Sequence, residues 1–165
     1  MKGPVKLLVD GMLGSIARFL RILGHDTLYF RDLSDKKLIE IAKDEDRVLI
    51  TCDQELHRMA SSRGVKSIFV ESDVSKEVQL ARIMVALGIE PTFNPERTRC
   101  PLCNNPLIKT SKDRVKGKVP EKSYELYDDF WICPGCGKVY WIGSHWRQIR
   151  NFLERVERHY LELLG

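Results

Sequence analysis

The sequence lacks the features of membrane and secreted proteins. Its 165 residues contain no apolar run near the roughly 18 residues that a membrane-spanning helix needs, and the amino terminus has no signal-peptide pattern. Five cysteines are an odd number, and four of them form two Cys-x-x-Cys pairs, which suit metal binding better than disulfides. We therefore expect a soluble, cytoplasmic protein with no membrane partner and with a core that needs no disulfides.

Nucleotide-binding loops and a strong net charge are also missing. The first 95 residues contain neither Gly-x-Gly-x-x-Gly nor Gly-x-x-x-x-Gly-Lys-Ser/Thr, so neither a dinucleotide site nor a P-loop is expected. The net charge is only +4 and is unevenly placed. Residues 1–95 hold 14 basic and 14 acidic side chains, whereas residues 96–165 hold 13 and 9. The basic second part favours a polyanionic partner, but only weakly.

Short apolar runs alternate with amphipathic segments through the first 88 residues. The expected strands are 6–10, 27–30, 47–51 and 67–70. The expected helices are 12–23, 36–44, one that opens within 52–55 and ends near 62, and 76–87. This alternation predicts an α/β fold with a mainly parallel sheet flanked by helices on both faces. Right-handed crossovers would place the carboxyl ends of all four strands along one edge.

Two Cys-x-x-Cys pairs dominate the second part of the chain. Cys100 and Cys103 are separated by 29 residues from Cys133 and Cys136. Four thiolates from two tight turns suit a tetrahedral Zn²⁺ that has no open position, which predicts a structural zinc. A redox dithiol is the alternative, although a lone redox site would need only one pair.

The composition changes near residues 91–95, where two prolines indicate a linker. We therefore predict an α/β domain over residues 1–92 and a small zinc-ribbon lobe with a carboxyl-terminal helix over residues 97–165. The helix is expected over 146–163, because its apolar side chains recur along one stripe.

Three aspartates follow the first three expected strands. Asp10 and Asp53 come after the first and third strands, and Asp35 begins the helix after the second. Carboxylates are preferred ligands of Mg²⁺ and Mn²⁺, and two such ions can activate water and stabilise the leaving oxygen in phosphodiester hydrolysis. We predict that these three acids are catalytic metal ligands. Each could instead serve a helix amino terminus, as a cap or through the helix dipole.

The segment between the cysteine pairs contains several basic residues that lie beside aromatic residues. Among its cations we choose Lys112, Lys116 and Lys118 as candidates for contact with an RNA backbone. The nearby aromatic residues are Tyr124, Tyr127, Phe130, Trp131, Tyr140 and Trp141. They could stack on bases, but burial in the core of the ribbon is the favoured interpretation; the lysines could equally form a solvated loop.

Several of these motifs together resemble the Mut-seven C-terminal RNase family. The similarity lies in Val9–Gly14, Ala17–Asp26, Ser34–Asp35 with Leu38 and Ile39, Arg47–Leu56, the paired Cys-x-x-Cys motifs and Val139–Trp146. The resemblance implies a PIN-like domain whose divalent-metal nuclease site is carried by acids such as Asp10, Asp35 and Asp53. One departure is Cys52, where the Thr-x-Asp motif leads us to expect a basic residue.

The sequence therefore leads to two functional hypotheses. The first is a metal-dependent endoribonuclease with catalytic Mg²⁺ or Mn²⁺, structural Zn²⁺ and a ribbon that aids RNA binding. The second is a non-catalytic RNA- or ribosome-associated module that keeps the fold and shows salt-sensitive binding without turnover.

Overall fold

A computed structural model describes residues 5–165, and its first part is a four-stranded parallel sheet with helices between the strands. The strands are β1 (Lys6–Val9), β2 (Asp26–Tyr29), β3 (Val48–Thr51) and β4 (Ser67–Phe69). The helices are α1 (Gly14–Ile22), α2 (Asp35–Asp44), α3 (Gln54–Ser62) and α4 (Lys76–Leu87). The strand order is β2-β1-β3-β4, with every neighbouring pair parallel. The predicted α/β fold with a mainly parallel sheet is confirmed.

Both faces of this sheet are buried, because successive side chains of a strand point to opposite faces. Leu7 of β1 belongs to the apolar cluster under α1 and α4, whereas the next residue, Leu8, belongs to the cluster under α2 and α3. Both leucines are fully buried. A strand with no polar face is what a sheet covered on both sides requires.

The helix ends follow local signals, with one exception. Ser34 caps α2 by accepting a hydrogen bond from the Lys37 amide, and Gly88 ends α4 in the left-handed conformation with φ of 69°. Met12, the first residue of the expected helix 12–23, lies outside α1. Its side chain is 77% exposed, because α1 begins two residues later and leaves Met12 in the preceding turn.

The second part of the chain contains a small antiparallel sheet. Its strands are β5 (Ile108–Thr110), β6 (Phe130–Ile132) and β7 (Val139–Tyr140), in the order β5-β6-β7. The insert between the cysteine pairs also forms a 3₁₀ turn at Lys112–Val115 and a short helix α5 (Glu121–Leu126). Neither was predicted from the sequence. The carboxyl-terminal helix α6 (Trp146–Leu164) agrees with the prediction.

Helix α6 packs against the α/β part through α4 and α1. Phe152 stacks on Phe19 of α1 with ring centroids 4.0 Å apart, and Arg155 forms an ion pair with Glu77 of α4 at 3.0 Å. The helix therefore covers one side of the main apolar core, and the assignment of α6 to the second domain stays a prediction. No helix within residues 5–165 is long and apolar enough to cross a membrane.

A buried polar network joins the first cysteine turn to the edge strand β2. The Asn104 side chain accepts a hydrogen bond from the Thr27 amide at 3.0 Å and donates one to Asp26 at 2.7 Å. Arg21 donates to the carbonyls of Thr27 and Pro101, each at 2.8 Å. An edge strand exposes unpaired backbone groups, so these side chains complete the bonding of β2 on its open side.

Arg47 belongs to the same network. Arg47 is 7% exposed, and its guanidinium contacts the Asp26 carboxylate at 2.9 Å and the Leu7 carbonyl at 3.1 Å. Burial opposes ionisation of Asp26, but the hydrogen bonds from Arg47 and Asn104 and the positive charge of Arg47 outweigh it, so the pKa of Asp26 lies below its usual value. The carboxylate is therefore ionised and holds both parts of the chain together.

This network generates a stability prediction. Replacing Asn104 by Ala leaves the buried Thr27 amide without its partner, and such an unpaired group costs about 1–3 kcal/mol; Asp26 Oδ1 loses one bond but keeps the one from Arg47. We expect Asn104→Ala to lower the free energy of unfolding by about that amount, as measured by urea denaturation. Asn151→Ala, at an exposed position of α6, is the matched control. Equal stability of the two variants would contradict the role of the network.

Candidate functional site

The three predicted aspartates lie at the carboxyl ends of neighbouring strands. Asp10 follows β1 directly, and its amide extends the pairing with β3 by donating to the Ile50 carbonyl at 3.0 Å. Asp53 follows β3 after one residue, and Asp35 is the first residue of α2 beyond β2. Because β2, β1 and β3 are adjacent and parallel, all three acids lie at the same edge of the sheet.

Thr51 connects two of these acids, a role that the sequence analysis did not anticipate. Its buried hydroxyl donates to Asp10 Oδ2 at 2.8 Å and accepts from the Asp53 amide at 3.0 Å. The hydroxyl therefore sets the orientation of one carboxylate and the backbone position of the other. The only signal in the sequence is a threonine as the last residue of a strand, two residues before an acid.

The loops that carry Asp10 and Asp35 touch each other. A Cβ added at Gly11 would lie 2.4 Å from the Arg31 carbonyl oxygen, so only glycine allows this approach. The Tyr29 hydroxyl donates to the Gly11 carbonyl at 2.7 Å, which anchors the same turn to β2. The loop after β1 is thus held against the loop after β2.

The pKa of Asp35 indicates that the three carboxylates share one region. Partial burial raises the pKa of Asp35, and the negative charges of Asp53 and Asp10 raise it further. Asp10 and Asp35 are half-buried, whereas Asp53 is exposed. A group of acids that disfavour one another's ionisation is relieved by a bound cation.

The three acids differ in whether they cap a helix. Asp53 caps α3, because its Oδ1 accepts from the amides of Glu55 and Leu56 at 2.9 and 3.3 Å. Asp10 caps nothing, since α1 begins after Leu13 without a side-chain cap and the Asp10 carboxylate accepts from Gly11 and Thr51. Asp35 lies in the first turn of α2, where the helix dipole favours an anion. Capping uses one oxygen of Asp53 and leaves Oδ2 available to a metal.

The donor set of the acid cluster fits a hard divalent cation. Mg²⁺ and Mn²⁺ take oxygen ligands, and Mg²⁺ is held by one or two carboxylates while waters complete its shell. Within residues 5–165, the four paired cysteines are the group of metal-ligand atoms that lie within 4.8 Å of one another. The aspartates are more widely spaced than that, so solvent or substrate oxygens would complete the coordination.

Cys52 lies next to the acids but is not set up as a nucleophile. Partial burial raises the pKa of its thiol, and the charges of Asp10 and Asp53 contribute to the same shift. The thiolate is the reactive form of cysteine, so a raised pKa keeps this side chain neutral. Its sulfur lies 4.0 Å from that of Met12.

Lys76 brings a cation to the start of α1, where the sequence analysis had not placed one. Its ammonium donates to the Ser15 hydroxyl at 3.1 Å, in the first turn of the helix that follows Asp10. A lysine in the first turn of α4 is unfavourable for the helix dipole, and this is the sequence feature that indicates another role for Lys76. Lys76 lies at the same end of the sheet as the acids, because α4 begins after β4.

The four paired cysteines come together in a second site. Cys100 Sγ lies 3.7 Å from Cys136 Sγ, and Cys103 Sγ lies 3.2 Å from Cys133 Sγ. Sulfurs around a tetrahedral zinc are about 3.8 Å apart when each Zn–S bond is about 2.3 Å. The cysteines are therefore positioned to bind a metal such as zinc, with ligands contributed by both turns.

Neighbouring groups support this cysteine cluster. The Tyr140 hydroxyl lies 3.1 Å from Cys100 Sγ, and Asn105 Nδ2 donates to Cys103 Sγ at 3.3 Å. The hydrogen bond from Asn105 lowers the pKa of Cys103 to about 6, whereas burial raises the pKa of Cys133. A Cβ at Gly135 would lie 2.2 Å from Asn105 Nδ2, so a larger residue there would displace the Asn105 side chain. Such outer contacts orient metal ligands.

The three candidate lysines lie in the insert between the cysteine pairs, and they differ in environment. Lys112 pairs with Asp128 at 3.4 Å and lies over the Tyr124 ring at 5.0 Å. Lys116 and Lys118 are exposed on either side of Gly117, which turns the chain with φ of 77°. The two exposed lysines are freer to contact an external phosphate than Lys112.

The cysteine cluster predicts a measurable metal content. We expect about one zinc per chain in the purified protein, and loss of that zinc in Cys103→Ser, because four thiolates define the site. Metal analysis by mass spectrometry and the near-ultraviolet circular dichroism of the tryptophans measure both effects. Cys52→Ser is the control and should keep its zinc. Zinc retained in Cys103→Ser would exclude this ligand set.

Comparison with known proteins identifies the family to which the chain belongs. The chain is 22% identical to the human protein "Exonuclease mut-7 homolog" over an alignment of 233 residues, which covers 96% of this chain and 26% of that protein. The chain thus spans about a quarter of the length of this relative. The Mut7-C RNAse domain family matches residues 5–153, which include both the acid edge and all four paired cysteines. Since this match covers most of its 165 residues, the chain belongs to the Mut7-C RNAse domain family.

Proposed function

We propose that this protein is a divalent-metal-dependent endoribonuclease whose reaction takes place at the acid edge of the parallel sheet. Membership of an RNAse domain family supports a nuclease function and an RNA substrate. The observation that carries the proposal is that Asp10, Asp35 and Asp53 follow the adjacent parallel strands β1, β2 and β3 at one edge of the sheet. The pKa of Asp35 is raised by burial and, further, by the charges of Asp53 and Asp10. Strand ends are where open α/β sheets place their active sites.

In this proposal Asp10, Asp35 and Asp53 hold Mg²⁺ or Mn²⁺. The bound cation would supply Lewis-acid stabilisation of the charge that develops on the scissile phosphate. Thr51 keeps the Asp10 carboxylate oriented, and the cap on α3 fixes the rotamer of Asp53. Lys76 would contact a neighbouring phosphate. It would supply the positive charge that Cys52 does not provide at position 52.

The zinc-ribbon lobe is proposed to aid RNA binding rather than cleavage. Its cysteine cluster offers four sulfur ligands and no open coordination position, so a metal there holds structure. The cluster lies beside Asp26 and Thr27 at the amino end of β2, whereas the acids lie beyond the carboxyl ends of the strands. The cysteine cluster and the acids therefore lie at opposite ends of β2.

The acid cluster can be tested with isosteric substitutions. We expect Asp10→Asn and Asp53→Asn each to lower metal-dependent cleavage of single-stranded RNA at least about 100-fold, because even outer partners of metal ligands contribute about 10–100-fold. Asparagine keeps the cap at position 53, so folding should be preserved. Single-turnover cleavage with Mg²⁺ and with Mn²⁺ measures the effect.

Asp44→Asn is the matched control for this experiment. Asp44 is exposed and ends α2, which runs about 15 Å away from the acid edge. Its activity should equal that of the unmodified protein. Full activity in folded Asp10→Asn and Asp53→Asn would refute the site, and salt-sensitive RNA binding without any cleavage would favour the non-catalytic module instead.

The lysines of the insert give a binding prediction. Replacing Lys112, Lys116 and Lys118 together by Ala should weaken RNA binding and flatten its salt dependence, by about 0.7 in logarithmic slope for each phosphate that is no longer neutralised. The double variant of Lys116 and Lys118 should show most of the effect, since Lys112 is paired with Asp128. Filter binding from low to moderate salt measures it. Lys43→Ala with Lys66→Ala is the control, and an equal weakening there would contradict a local role.

A further inference from the structure

Three exposed cations follow helix α1 from the acid edge toward the cysteine cluster. At the acid edge, the Lys76 ammonium donates to the Ser15 hydroxyl at 3.1 Å in the first turn of α1. Arg18 comes three residues after Ser15, so the two share one face of the helix. Arg18 lines a cavity together with Tyr140 of β7, and the Lys138 ammonium lies over the Tyr140 ring, 5.6 Å from its centroid. We call Lys76, Arg18 and Lys138 the α1 band.

The charge of the α1 band is not neutralised by the protein itself. Its three side chains are exposed, and within residues 5–165 none of them forms an ion pair with an acid. By contrast, Arg82 of α4 pairs with Glu71 at 3.3 Å, and Arg155 of α6 pairs with Glu77 at 3.0 Å. Residues 11–25, which include the whole of α1, contain two arginines and no acid. The outer face of α1 therefore keeps a positive charge that attracts a polyanion.

Helix α1 extends from the acid edge to the first cysteine turn. It begins after the turn that contains Asp10, and its nine residues extend about 12 Å along the axis. At its carboxyl end, the Ile22 carbonyl accepts from the Thr98 hydroxyl at 3.1 Å. The Arg21 carbonyl accepts from the Arg99 amide at 2.9 Å. These bonds satisfy carbonyls at the helix end and hold it against the chain that enters the cysteine cluster.

We infer that the outer face of α1 is the track along which a single RNA strand passes between the zinc-ribbon lobe and the acids, with the α1 band contacting its phosphates. This inference deepens the proposed function and rests on it for the nature of the polyanion. Contacts to phosphates fix the position of a strand without reading its sequence. The track explains how a lobe at the far end of β2 could hold a strand that is cut at the acid edge.

Binding can be measured without cleavage by omitting Mg²⁺ and Mn²⁺ and using the whole chain without a chelator. The probes are a fluorescently labelled oligouridylate of about 12 nucleotides, within the range of single-strand binding sites, and a uridine trinucleotide. Arg18→Gln and Lys76→Gln should each weaken binding of the long oligonucleotide about 2- to 5-fold, as loss of one exposed charge contact implies. Each should also flatten the salt dependence by about 0.7 in logarithmic slope. Fluorescence anisotropy measures both effects.

A matched pair of cations lies away from the track. Arg63 and Lys66 are exposed at the turn between α3 and β4, so Arg63→Gln with Lys66→Gln removes the same charge as Arg18→Gln with Lys76→Gln. The Arg63 and Lys66 variant should keep its affinity and its slope, and an equal weakening there would overturn the track. The trinucleotide is too short to follow the whole band and should lose less affinity than the long oligonucleotide. Equal losses at both lengths would also contradict the inference.

Photo-crosslinking gives a second measurement that needs no variant. A single thiouridine is placed at successive positions of the long oligonucleotide, and the crosslinked peptides of the unmodified protein are identified by mass spectrometry. We expect crosslinks to α1, within 14–22, at central positions of the oligonucleotide and to the ribbon, within 138–142, toward one of its ends. Crosslinks that never reach α1 would overturn the track.

Failure of the track can be told apart from failure of the proposed activity. Binding that depends on the α1 band in a protein that cleaves no RNA would refute the activity and support the track. Metal-dependent cleavage whose kcat/KM is unchanged in Arg18→Gln would support the activity and refute the track. The circular dichroism of each variant should equal that of the unmodified protein, because the substituted side chains are exposed.

Discussion

The hydrogen bonds of Asn104 to the edge strand β2 are the contact on which the arrangement of this protein depends. They join residues 77 and 78 positions apart and act inside a network that includes the buried Arg21 and Arg47 and the half-buried Asp26. In such surroundings a hydrogen bond is stronger than in water and an unpaired group is costly, so the network permits few alternative orientations. It fixes where the cysteine cluster lies relative to the sheet.

The two candidate metal sites lie at opposite ends of the sheet and use different chemistry. The acid edge offers carboxylate oxygens to a hard cation, whereas the cysteine cluster offers thiolates, the softer ligands that zinc accepts. Separation has a physical advantage, because each site would otherwise compete for the other's ion. It also leaves the acid edge unobstructed, since the first cysteine turn contacts the amino end of β2. Strand β2 thus connects the two sites, ending in the Tyr29 hydroxyl that supports the turn after Asp10.

The aromatic residues of the second part of the chain differ in burial: some lie in the core and others remain partly exposed. Phe130 is fully buried in the ribbon, as expected for a core residue, and Trp131 beside it is nearly so. Tyr140 and Trp141 are half-exposed, and Tyr140 also contacts Cys100. The favoured interpretation of a buried core is therefore right for some of these side chains, while the others line a surface that helix α6 and the linker complete.

The sequence by itself determined the order and type of the main elements, the two buried faces of the sheet and the cysteine cluster. These features depend on local periodicity and on the short spacing within each Cys-x-x-Cys turn, which are visible in a linear chain. It also led to the three aspartates, whose metal role stays a prediction. Only the tertiary structure decided the strand order, the hydroxyl link from Thr51 to Asp10, the contact of Asn104 with β2 and the packing of α6 on α4. Each of these joins residues far apart in the chain through a single side chain or a helix face. Such a contact leaves no periodic pattern, because it depends on the position of both partners after folding.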